Sequence, residues 1–175
     1  MKIGIIIILM CVLFTSCQSI LCIDEESSYK DITDFGSQVK QEYHLQLVGL
    51  GGGCYKGLKI FNLTFLGHEI LSLDESRVLF YNLANGFIEK INANEELKEK
   101  SNVDQFTIAN IDLRLMFPNI VGQIRCVGNG EAFNRDPLQF VYFFIHNAEI
   151  GPVLGHKEPY EELRSIVESQ LQCQF

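Results

Sequence analysis

The chain has 175 residues, 47% of them hydrophobic with 13 phenylalanines, and a formal net charge of −8. That is enough apolar material for one packed domain and too little length for two ordinary ones. No lysine/arginine cluster exists (Lys98 and Lys100 are separated by Glu99), so the chain lacks the electrostatic footprint for nucleic acid, and for peripheral attraction to anionic lipid headgroups.

The first elements concern location. Lys2 is followed by an apolar run, Ile3–Phe14, and then by Thr15-Ser16-Cys17. One positive charge, about a dozen apolar residues and a small-residue stretch form the three parts of a secretory signal. Twelve apolar residues fall short of the roughly 20 that a helix needs to cross a hydrocarbon core. Phe14-Thr15-Ser16-Cys17 resembles a lipobox, in which the cysteine takes a diacylglycerol and becomes the new amino terminus. The expectation is a signal peptide over 1–16, lipid attachment at Cys17, a polar tether over 17–30 and one domain over 31–175. Ordinary cleavage nearby, or an uncleaved anchor lengthened by Ile20–Ile23, are the competing readings; all three place the domain outside the cytoplasm.

Behind the tether, Tyr29, Ile32, Phe35, Val39 and Tyr43 recur at three and four residues, the spacing of one helix face. Leu45 and Leu47 begin a strand that runs into Gly49-Leu50-Gly51-Gly52-Gly53, read as a glycine-rich loop. A second strand follows at Leu58–Phe65. Ser72-Leu73-Asp74-Glu75 is a capping box, with a helix expected from Leu73 to Asn92 and an apolar face of Phe80, Ala84, Phe87 and Ile91. Asn94 caps a short continuation over Glu95–Lys100. Strands are expected near Thr107–Phe117, Val121–Val127 and Leu138–His146, with a turn at Val127–Gly130. Gln139–Ile145, apolar on both faces, reads as a central strand, and a weaker one occupies Glu149–Leu154. Glu158-Pro159 opens a last helix with Tyr160, Leu163, Val167 and Leu171 on its apolar face. The order predicts an α+β fold: a mainly antiparallel sheet of about five strands with helices packed on one face.

Motifs for chemistry are weak. In the glycine run the sixth position of a dinucleotide fingerprint is Cys54, and no Gly-Lys-Ser/Thr follows, so no nucleotide site or other cofactor is expected. His68-Glu69 lacks a second histidine four residues on, which leaves no zinc motif. Asn62-Leu63-Thr64 is a glycosylation sequon inside a strand. Cys54 beside the glycines is the one conceivable nucleophile, with His44, His68, His146 or His156 as base. Cys22, Cys54, Cys126 and Cys173 allow three full disulfide pairings and contain no Cys-x-x-Cys.

Gly49–Gly53 followed by a strand, the Ser72–Glu75 box, Ile91-Asn92-Ala93-Asn94-Glu95-Glu96-Leu97 and Phe106–Ile111 occur in one order. Together, over residues 10–146, they resemble small uncharacterised predicted lipoproteins of chlamydia-like intracellular bacteria. The resemblance implies a Gram-negative envelope setting and brings no catalytic residues. The functional expectation is an exported, lipid-anchored envelope protein with a non-enzymatic binding role, meeting the membrane through its lipid, with an envelope protein as candidate partner. The alternative is an exported hydrolase centred on Cys54.

Overall fold

The computed structural model describes residues 25–55, 58–126 and 139–172. The elements run α1 (Glu25–Tyr43), β1 (Gln46–Tyr55), β2 (Leu58–Leu66), α2 (Leu73–Asn92), α3 (Glu95–Ser101), a 3-10 turn (Ile108–Asn110), β3 (Ile111–Met116), β4 (Ile120–Cys126), β5 (Gln139–Asn147), β6 (Gly151–Pro159) and α4 (Tyr160–Gln172). The strands form one six-stranded sheet in the order β1-β2-β3-β4-β5-β6. All neighbours pair antiparallel except β2 and β3, which are parallel. That exception follows from α2: a helix between two strands returns the chain to its starting end, so the next strand runs the same way. The fold is α+β, as expected, with six strands in a mixed and mostly antiparallel sheet.

One face of the sheet carries the core. Phe61, Leu63 and Phe65 of β2, Ile111, Leu113 and Leu115 of β3, and Val141 and Phe143 of β5 are buried with Ile32, Phe35 and Val39 of α1, the α2 stripe, and Leu163 and Val167 of α4. A ring relay stitches the layers together: Phe35 meets Phe65 at 6.2 Å and Phe87 at 5.2 Å, and Phe61 meets Phe87 at 5.6 Å and Phe106 at 5.4 Å. Edge-on and tilted aromatic pairs of this kind add about 0.5–1.5 kcal/mol each beyond area burial. Gly36, a poor helix former, sits where α1 presses on the sheet; a Cβ there would lie 2.7 Å from Leu47 Cδ2. The close approach, which a side chain would block, accounts for the glycine.

The opposite face has a different character. By register, Leu66, Met116, Val121, Phe144 and Leu154 form an apolar row across five strands. The adjoining row, Thr64-Arg114-Gln123-Tyr142-Lys157, is polar, with the Lys157 ammonium 4.1 Å from the Phe140 ring centroid.

Several expectations change. The glycine run at 49–53 is strand, paired residue by residue with Asn62–Thr64 and their neighbours, which leaves two residues between β1 and β2. Glycine offers no side chain to forbid extension, and β2 supplies the ladder. Helix α1 starts at Glu25, inside the stretch read as tether. Residues 107–110 are a capped 3-10 turn, because Thr107 Oγ1 accepts from the Ala109 amide while Asn110 Oδ1 accepts from the Thr107 amide. Strand β5 is second from an edge, and its outer aromatics are half-buried. β6 extends through Pro159, so that proline ends an edge strand, where its missing N–H is tolerated, and does not open α4. Leu171 is exposed. Cys17, Cys22, Cys173 and the Val127–Gly130 turn lie outside the described residues, as do the side chains of Cys54 and Cys126. The backbones of Cys54 in β1 and Cys126 in β4 are three strand spacings apart, roughly 14 Å. A disulfide needs Cα atoms within about 7 Å, which removes that pair from the possible pairings.

Candidate functional site

A groove of about 570 Å³ lies over the first half of α2, between the carboxyl ends of α1 and α4. Its apolar surface comes from Leu45, Leu71, Val78, Leu79 and Phe117. Its polar lining comes from Tyr43, His44, His68, Glu69, Asp74, Glu75, Asn82 and Gln170. That volume falls within the roughly 300–1,000 Å³ typical of ligand clefts.

Local structure fixes each wall. The Ser72 hydroxyl accepts from the Glu75 amide at 3.2 Å, and the Glu75 carboxylate accepts from the Ser72 amide at 2.8 Å, which is the capping box read from the sequence. The Ser72 amide, together with the Ser72 hydroxyl that donates to Glu75 Oε2 at 2.7 Å, holds the Glu75 carboxyl below its ordinary range, so it stays a carboxylate. The segment before it, Gly67–Leu71, is clamped from the β3–β4 turn. Asn119 donates to the Leu71 carbonyl at 2.8 Å and accepts from the Leu71 amide at 3.2 Å, and the Gly67 amide donates to the Met116 carbonyl at 2.9 Å. A carboxamide serves both roles at once, which a carboxylate or ammonium cannot. Asn92 performs the same double contact on Phe106.

His44 forms the corner between α1 and β1 with φ of 57°. A left-handed conformation in a residue other than Gly, Asn or Asp costs on the order of 1–2 kcal/mol. The strained corner turns the chain straight from Tyr43, whose phenol is pushed up by burial and by the neighbouring Glu42 carboxylate, into Leu45 on the groove surface.

Beside the groove, α2 is tied to the edge strand β6 by an ion pair. Arg77 Nε and Nη2 donate to Glu158 Oε1 and Oε2 at 2.9 and 2.8 Å, and Arg77 Nη1 donates to Asp74 Oδ1 at 2.7 Å. His156 Nε2 stands 2.9 Å from Glu158 Oε2 and 3.1 Å from Arg77 Nη2. Glu158 is 2% exposed. Burial pushes its carboxyl up, and the hydrogen bonds from Arg77 and His156 outweigh that, holding it below the usual carboxylate range. An inward-pointing charge on an edge strand also discourages added strands.

The residues singled out from the sequence separate in space. Cys54 pairs with Lys59 at the hairpin end of β1. His44 and His68 flank the other end of those two strands and both line the groove. His156 stands in the row Leu47-Phe65-Leu115-Gly122-Phe143-His156, and His146 three residues beyond Phe143 on β5 toward the groove end. From Leu47 to Cys54 is seven residues of strand, about 23 Å. The described histidines therefore gather away from Cys54, and the groove does not include it. Among the described residues no group of three His, Cys, Asp or Glu side chains is placed to hold a metal ion. No described helix is long and apolar enough to cross a membrane. The sequence reading missed the groove and Asn119, because the groove joins residues from 43 to 170 and no local pattern links them. Comparison with known proteins gives no match: no family model fits the chain, and no curated protein and no solved structure is significantly similar to it.

Proposed function

We propose that this chain is an exported protein, lipid-anchored at Cys17 in a bacterial envelope, whose domain binds a ligand or protein partner in the α1–α2–α4 groove without catalysing a reaction. The single observation that carries the binding reading is the groove itself: a preformed apolar cleft, held open by the Asn119 clamp and the Ser72–Glu75 box, and ringed by polar groups. The separation of Cys54 from every histidine favours it over the hydrolase reading. Export and anchoring are supported by the charge-apolar-small pattern of residues 2–17, and the Gram-negative setting by the resemblance alone.

The test is intact mass of the membrane fraction from cells making the wild-type chain or Cys17→Ser. The wild type should begin at residue 17 and carry acyl mass, and Cys17→Ser should retain its signal. Identical, unacylated maturation of the two would refute the anchor.

A further inference from the structure

We infer that the groove receives an apolar segment flanked by lysine or arginine, contributed by a partner protein on the aqueous side of the membrane. The inference rests on reading the groove as a binding site and adds the chemistry of its occupant.

Two features select that occupant. The apolar strip of Leu71, Val78, Leu79 and Phe117 suits aliphatic side chains, and Ile70, 77% exposed, extends it outward at the rim. Around it stand the carboxylates of Glu69, Asp74 and Glu75, and none of the lining residues is a lysine or arginine. Arg77 nearby is shared between Asp74 and Glu158, so its one positive charge offsets only part of theirs and touches neither Glu69 nor Glu75. Asp74 remains 65% exposed on its outer side. A cleft with low-dielectric walls and one sign of charge focuses its field and raises the local concentration of the opposite sign. The net charge of −8 adds to the same field. An anionic segment would meet repulsion, and a purely apolar one would bring no counter-charge to Glu69 or to the excess negative charge around it.

Position supports a protein partner over a bilayer lipid. Helix α1 has 19 residues, about 28 Å, with the tether entering at Glu25 and the groove at Tyr43 and His44. With the lipid at Cys17, attachment is on the Glu25 side of α1, and the groove lies at the other end of that helix.

The experiment places p-benzoylphenylalanine at position 70 of the full chain in detergent and photo-cross-links it to biotinylated twelve-residue peptides that alternate Leu with Lys, Glu or Ser. A matched cross-linker at position 154, on the opposite sheet face, sets the background. The Leu–Lys peptide should cross-link at 70 at least tenfold above the Leu–Glu peptide, and Glu69→Lys should reduce or invert that ratio. Glu69 is exposed, so its reversal leaves the fold intact. Equal labelling by all three peptides, above background and unchanged in Glu69→Lys, would overturn the charge selection while leaving the groove a binding site. Labelling at 70 no greater than at 154 for every peptide would overturn both readings.

Discussion

Glu158→Gln probes the one deeply buried ion pair among the described residues, and its effect can be worked from the geometry. Glu158 is 2% exposed, the Arg77 side chain 12%, and two hydrogen bonds of 2.9 and 2.8 Å join them. Breaking a fully buried pair by removing one charge costs about 3–5 kcal/mol, because the remaining charge is left uncompensated. Two features lower that figure here. Glutamine keeps the shape and one acceptor oxygen, and Arg77 retains Asp74 at 2.7 Å, although Asp74 is largely exposed and so contributes little. The expected loss is about 2–3 kcal/mol. At about 2–4 °C per kcal/mol for a domain of this size, the melting midpoint at pH 7 should fall by roughly 5–10 °C. Circular dichroism with urea and heat reads both. A double-mutant cycle with Arg77→Met and Glu158→Leu isolates the pair: the combined variant should lose at least about 1 kcal/mol less than the two single losses together. A loss under about 0.5 kcal/mol for Glu158→Gln, or strict additivity in the cycle, would refute the argument. The pH dependence supplies a second check. A carboxyl whose folded pKa lies below its unfolded value contributes stability at all pH above the ordinary carboxylate range, and that contribution is lost as pH falls through the folded value. The gap between wild type and Glu158→Gln should thus persist from pH 7 to 5 and close below about pH 4.

Three further substitutions test the packing and the groove. In Gly122→Ala the added Cβ would stand 2.8 Å from Phe80 Cε2, and Phe80 is fully buried against Phe143; the urea midpoint should report a loss of about 1–3 kcal/mol, whereas Gly53→Ala, with open space around it, should be close to neutral. His44→Gly should raise stability by up to about 1 kcal/mol by relieving the left-handed corner, and a clear loss instead would show that the imidazole makes contacts outweighing the strain.

The α+β class and most elements were legible because their signals are local. The Ser72–Glu75 box and the 3–4 spacing of Phe80, Ala84, Phe87 and Ile91 located α2 residue for residue, and Asn94 marked α3 in the same way. Alternation in Ile111, Leu113 and Leu115 located β3 and its buried face. Errors arose where pairing overrode composition. Gly49–Gly53 extends because β2 lies alongside, and β5 is apolar on both faces without being central, because Lys157 and the outer rings of Phe140 and Tyr142 cover one another.

The sequence by itself determined the amino-terminal pattern, the acidic balance, the helices and their buried stripes, since each depends on residues within a turn or two of one another. Tertiary structure alone decided the rest. It ran β2 parallel to β3, sent Cys54 to one end of the sheet and the histidines toward the other, and brought residues between 43 and 170 together into a single groove. Those outcomes rest on strand order and register, which are set by the packing of faces against one another and leave no mark at any one position in the chain.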